Sequence, residues 1–156
     1  MKRLLIVLVL LAACTAQQPE VRHCAPQETG CALGEDGNRN VDLFDTINPE
    51  LVSTQDIEYF DGHTGFLAMP EAEGTYPGVI MIHEWWGLND NIKDMAVLLA
   101  QEGYVVLAVD LYGKVATTQE EARAYTTAVR NNQAEATRNM QAAANYLRAL
   151  PNVGEN

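Results

Sequence analysis

Glu84 follows His83 at the end of an apolar run, Gly78 to Ile82, and leads into Trp85-Trp86-Gly87-Leu88-Asn89. A carboxylate at the mouth of a strand can take a proton from a nucleophile, and a neighbouring backbone amide can be aimed at an oxyanion. This short stretch therefore holds two of the parts of acyl transfer. A second apolar run, Tyr104 to Val109, ends in Asp110-Leu111-Tyr112, with Lys114 two residues on. The two strand ends read together as half of a catalytic site in an α/β enzyme. The other half requires a nucleophile on a Gly-x-Ser-x-Gly or Gly-x-Cys-x-Gly turn. Ser53 is the only serine and Cys14, Cys24 and Cys31 are the only cysteines, so no such turn follows Lys114. The expectation is an enzyme chain whose C-terminal half is missing.

His83 is the residue most easily taken for a general base. A histidine at a strand end is as readily held by hydrogen bonds to its surroundings. His-Glu-x-x-His is absent because position 87 is Gly, which removes the zinc-protease reading. His63 is expected to be an exposed turn residue. No metal site and no cofactor is expected.

The elements that must position these residues can be read from residue order. Ile57 to Phe60 and Gly65 to Met69 form two short strands joined through Asp61-Gly62, a dipeptide that tolerates positive φ. Gly78 to Ile82 is apolar without alternation, as a strand covered on both faces must be. Ile92, Met95, Ala96 and Leu99 then fall at helical spacing, with Asn89 or Asp90 as N-cap and Gly103 just past the end. Tyr104 to Val109 closes a βαβ unit. Thr118-Gln119-Glu120-Glu121 opens a helix running to about Val129. Asn131 or Asn132 caps a longer one, with Ala136, Met140, Ala143, Ala144 and Leu147 on one face and Pro151 at its close. A further strand would begin near Val153, and the helix before it is expected to cover a sheet edge with no strand beneath. The fold class is thus α/β, an α/β-hydrolase-like, mostly parallel sheet flanked by helices, spanning residues 51–156.

Ahead of this domain, residues 1–13 carry Lys2 and Arg3, an apolar run from Leu4 to Leu11, and Ala12-Ala13 before Cys14, the layout of a secretory signal. That run is too short for a transmembrane helix, which needs about 20 apolar residues. Residues 14–50 are rich in Gln, Pro, Glu, Gly, Asn and Asp, show no periodicity, and read as a tether. In an exported chain Cys24 and Cys31 could pair or stay free, since residue order cannot place two Cα atoms at bonding distance. Their three ligands with His23 fall short of a zinc site. The net charge of −11 argues against nucleic acid as a partner, because an acidic surface repels phosphate backbones.

Two family resemblances follow from these residues. Leu11-Ala12-Ala13-Cys14 resembles the bacterial lipobox. That resemblance implies a lipidated Cys14, export, and anchoring of the protein to a membrane of the cell envelope. His83-Glu84-Trp85-Trp86-Gly87-Leu88-Asn89, with Gly103-Tyr104 and Asp110-Leu111-Tyr112, resembles the dienelactone hydrolase (carboxymethylenebutenolidase) family over about residues 55 to 156, the N-terminal half of its catalytic domain. The resemblance implies that Glu84 helps form the nucleophilic thiolate and that the Trp85 backbone N–H stabilises the oxyanion. Trp86 and Tyr112 would then line the substrate pocket. Lys114 falls where some members have an arginine that binds a substrate carboxylate, although lysine lacks the bidentate fork. The activity implied is hydrolysis of small-molecule esters or lactones. The competing expectation is a non-catalytic envelope lipoprotein that holds a small apolar ligand in the half-fold.

Overall fold

Strand β1 (Val52–Phe60) and strand β2 (His63–Pro70) are joined by a tight turn in which Asp61 and Gly62 both adopt positive φ, 37° and 81°. This is the backbone that a two-residue hairpin demands and that Gly meets without steric cost. The computed structural model containing this hairpin describes residues 46–154. The signal segment, Cys14 and the Cys24 and Cys31 pair lie outside the described residues. A short 3-10 turn, Pro49–Leu51, precedes β1, and Gln101 holds the segment before it through the Thr46 carbonyl and the Asn48 amide.

After β3 (Gly78–Ile82), helix α1 (Asp90–Gln101) leads to β4 (Val105–Val109), and helices α2 (Gln119–Asn131) and α3 (Gln133–Ala149) follow in series. The strand order is β1-β2-β4-β3. Among the described strands the sheet is mixed. β1–β2 and β2–β4 are antiparallel, and the parallel character expected from the sequence is confined to β3–β4. Val153 makes a single parallel bridge to Tyr76 just ahead of β3, with Tyr76 and Gly154 amides bonded across it at 2.9 and 3.0 Å. The chain thus turns onto the free side of β3 where a strand was expected to begin.

The unbroken apolar runs of β3 and β4 arise because helices cover both faces of the sheet. Val79, Met81, Val106 and Ala108 pack toward α1, against Ile92, Ala96 and Ala100. Ile80, Val105, Leu107 and Val109 face the other way, toward Ala143, Ala144 and Leu147 of α3. At about 25 cal/mol per Å² of apolar surface removed from water, these two layers are the main source of stability. One expectation is corrected here. α3 does not sit over an empty edge but lies across β1, β4 and β3, because its Ala-rich face lets the helix approach the sheet closely.

The helix ends follow local chemistry. Asn89 Oδ1 accepts from Ile92 N–H at 3.1 Å at the start of α1, and Gly103, at φ 90°, follows its end. Thr118 Oγ1 accepts from Glu121 N–H at 3.2 Å, while the Glu121 carboxylate bonds the amide and hydroxyl of Thr117, one residue earlier than a reciprocal capping box would place it.

A polar cluster ties α3 to the end of β4. Asn139, 2% exposed, donates from Nδ2 to the Asp110 carbonyl at 3.1 Å and accepts at Oδ1 from the Tyr59 hydroxyl at 2.7 Å. Burial pushes the Tyr59 phenol up to about 12, partly offset by its bonds to Asn139 and the Asp110 backbone. Tyr59→Phe would strand Asn139 Oδ1 and the Asp110 amide, which itself donates to the phenol oxygen at 3.2 Å. The expected loss is about 1–3 kcal/mol of stability, the cost of an unpaired buried polar group, and is read as a lowered midpoint in urea unfolding.

Candidate active site

The loops leaving the C-terminal ends of β3 and β4, residues 83–89 and 110–116, lie side by side because their strands are parallel neighbours. The Ala116 amide donates to the Trp86 carbonyl at 2.8 Å, bridging them. Gly87 is required at this junction. Its φ is 92°, and a Cβ there would meet the Lys114 carbonyl at 2.8 Å and the Tyr112 ring at 3.3 Å.

In the first loop, Glu84 to Gly87 is a turn closed by Gly87 N–H donating to the Glu84 carbonyl at 3.4 Å. The Glu84 side chain is exposed, and Trp85 and Trp86 are half-exposed at 39% and 37%. The amides of Glu84, Trp85 and Trp86 meet no acceptor among the described residues, so the turn presents unengaged N–H groups next to a carboxylate. Such a turn can both take a proton and stabilise a developing negative charge.

His83 is nearly buried, at 7% exposure. Its Nδ1 lies 2.8 Å from the Glu84 carbonyl and its Nε2 lies 3.1 Å from the Leu111 amide. A carbonyl can only accept and an amide can only donate, so Nδ1 carries the proton and Nε2 is bare. Burial lowers the His83 pKa, a shift opposed by the Glu84 carbonyl and by the Asp110 carboxylate, whose Oδ1 lies 3.9 Å from Nε2. The ring also meets Tyr112 edge to face, with centroids 4.4 Å apart. Both nitrogens are thus occupied, as expected of a strand-end histidine held by hydrogen bonds and not of a free base.

The second loop is shaped by Asp110, whose Oδ1 accepts from the amides of Tyr112 at 2.8 Å and Gly113 at 2.9 Å. Tyr112 is anchored to α2 through a hydroxyl contact of 2.9 Å with Thr126. The Lys114 ammonium lies 4.5 Å from the centre of the Tyr125 ring, a cation–π contact. Glu84, Trp85 and Trp86 are therefore gathered on one loop, and Tyr112 and Lys114 on its immediate neighbour. Tyr59, Asn139 and His63 were not singled out by sequence reasoning as supports of this rim. His63, expected to be an exposed turn residue, is instead the first residue of β2, with Nδ1 2.9 Å from the Asp110 carbonyl. For Asn139 the readable signal is a polar side chain on the otherwise apolar face of α3.

An open groove of about 530 Å³ is lined by the apolar Ile82, Leu111, Val129, Ala136 and Met140 and by the polar Arg130, Gln133 and Thr137, and Glu84, Trp85 and Trp86 are not among its walls. A smaller hollow of about 170 Å³ adjoins it, sharing Leu111 and Val129 and reaching His63 and Asn139. Among the described residues no cluster of His, Cys, Asp and Glu could hold a metal ion.

Comparison with known proteins relates the chain to one family. A family model described as "Dienelactone hydrolase family" matches residues 63–156. Protein usf of Aquifex pyrophilus is 48% identical over 62 residues, covering 37% of this chain and 26% of that protein. The solved structure m3DLH superposes with a TM-score of 0.61 at 32% identity, over 66% of this chain and 45% of that one. A dienelactone hydrolase-like promiscuous phosphotriesterase from metagenomic libraries superposes with a TM-score of 0.59 at 30% identity, over the same shares. The chain spans less than half the length of each of these three relatives.

Proposed function

We propose, from the premise that this chain belongs to the dienelactone hydrolase family, that residues 83–116 form the proton-accepting and oxyanion-binding rim of a hydrolase of small-molecule esters or lactones. The observation that carries this reading is the Glu84–Gly87 turn, where an exposed carboxylate stands beside an unengaged Trp85 amide at the C-terminal end of β3. Glu84 takes the proton of the attacking group, and the Trp85 N–H stabilises the tetrahedral oxyanion. Trp86, Tyr112 and Lys114 bound the substrate, with Lys114 as a point charge for a substrate carboxylate. Fold similarity alone does not give a reaction, so the weight rests on this turn.

No serine or cysteine of the described residues lies on these loops. Ser53, the only serine, stands in β1 opposite Met69, away from the loops at the ends of β3 and β4. The 156-residue chain by itself is accordingly expected to hydrolyse p-nitrophenyl acetate no faster than buffer. Turnover that disappears in Glu84→Gln would overturn this part of the reading. Binding of an apolar ester in the groove without turnover in any form of the protein would favour the second reading, a non-catalytic binder of small apolar ligands, which the groove at Ile82 and Met140 supports.

We also propose export and lipid anchoring through Cys14 to the bacterial envelope, on the strength of Leu11-Ala12-Ala13-Cys14. Cys14→Ser should move the protein out of the membrane fraction. A variant that stayed there as firmly as wild type would refute the anchor.

A further inference from the structure

We propose that His83 is the positioning residue that aims the Trp85 amide, acting through the Glu84 carbonyl. The inference rests on the reading of Trp85 as oxyanion donor and adds to it what holds that donor in place. The Glu84 carbonyl and the Trp85 N–H belong to one peptide plane and point in opposite directions across it. Whatever grips the carbonyl therefore sets the direction of the N–H. Two groups grip it: His83 Nδ1 at 2.8 Å and, more weakly, the Gly87 amide at 3.4 Å.

His83 can do this only as the Nδ1–H tautomer. That tautomer is imposed by the Leu111 amide, which donates to Nε2 at 3.1 Å from the loop after β4. The ring is otherwise packed edge to face against Tyr112, 4.4 Å between centroids, which removes its freedom to turn over. The imidazole thus reads the position of the second loop with one nitrogen and sets the peptide orientation of the first loop with the other. Without it, the single long Gly87 bond opposes rotation of the Glu84–Trp85 peptide, and the amide is no longer held toward the charge it must stabilise.

The test is NMR on the isotopically labelled full chain at neutral pH. Long-range proton–nitrogen spectra are expected to show His83 neutral with the proton on Nδ1. An Nε2–H tautomer or an imidazolium would overturn the proposal, and this reading needs no variant. In His83→Ala, the residual dipolar coupling of the Trp85 N–H is expected to average toward zero while those of Val105 to Val109 keep their values. In His83→Asn, whose side-chain amide can reach the same carbonyl, the Trp85 coupling is expected to recover. A Trp85 coupling unchanged in His83→Ala, or one that falls together with those of β4, would overturn it. These readouts report geometry alone, so they stand or fall separately from any failure of Glu84 or Trp85 to affect ester turnover.

Discussion

Glu84→Gln, in an active chimaera in which residues 63–154 replace the matching segment of a dienelactone hydrolase relative, is expected to lower kcat/KM for an activated ester by about 10²- to 10⁴-fold, the range that one positioned proton-transfer group contributes. The substitution keeps size and removes only the ability to hold a proton. The Glu84 side chain is exposed and takes part in none of the ion pairs among the described residues, so the unfolding midpoint should not move. That combination separates a chemical role from a packing one. The check is a steady-state comparison with the thermal melt measured on the same preparations. A variant with wild-type kcat/KM would leave Glu84 as an ordinary surface carboxylate.

Trp85→Pro is expected to cost about 10²- to 10³-fold in kcat, the loss found when one oxyanion donor is removed. Proline deletes the N–H, and the turn tolerates it. Trp85 is the first of the two central residues between Glu84 and Gly87, and neither it nor Trp86 has positive φ. Proline is favoured at that position of such turns. Trp85→Ala is the necessary partner, since it removes the indole and keeps the amide. It should raise KM through loss of apolar contact and leave kcat within a few-fold. If alanine and proline reduce kcat equally, the indole and not the backbone is what matters.

The parts of this account that could be read from residue order are those set by local physics. β3 and β4 stood out because Gly78 to Ile82 and Val105 to Val109 are apolar at every position, and the two core layers show why: successive side chains go to opposite faces that helices cover, all but Ile82 at the end of β3 being buried. α1 and α3 were legible from their spacing and from Asn89, Asn132 and Gly103 at their ends. β1 extends five residues ahead of Ile57, from the buried Val52 through the more exposed Ser53, Thr54, Gln55 and Asp56. There residue order gave no pattern, because an edge strand with exposed side chains needs no alternation. What remained hidden was long-range pairing. Tyr59 meets Asn139 across 80 positions, His63 meets the Asp110 carbonyl across 47, and His83 meets the Leu111 amide across 28. No periodicity encodes such contacts, of which His83–Leu111 joins the two loops and the others hold the start of the second. Glu84 and Trp85 were visible as types in a sequence block. That the Trp85 amide is unengaged, and that the Glu84 carbonyl is gripped, follows from the folded loop and from no residue type.

The most direct test of Glu84 as proton acceptor is the pre-steady-state acylation burst, with p-nitrophenyl acetate, of the chimaera carrying residues 63–154, with Glu84 intact against Glu84→Gln. The acylation rate constant is expected to fall by about 10²-fold or more in Glu84→Gln, with the burst amplitude shrinking as acylation approaches the rate of deacylation, because proton removal from the attacking group is the step that Glu84 serves. An acylation rate constant equal to that with Glu84 intact would contradict this role.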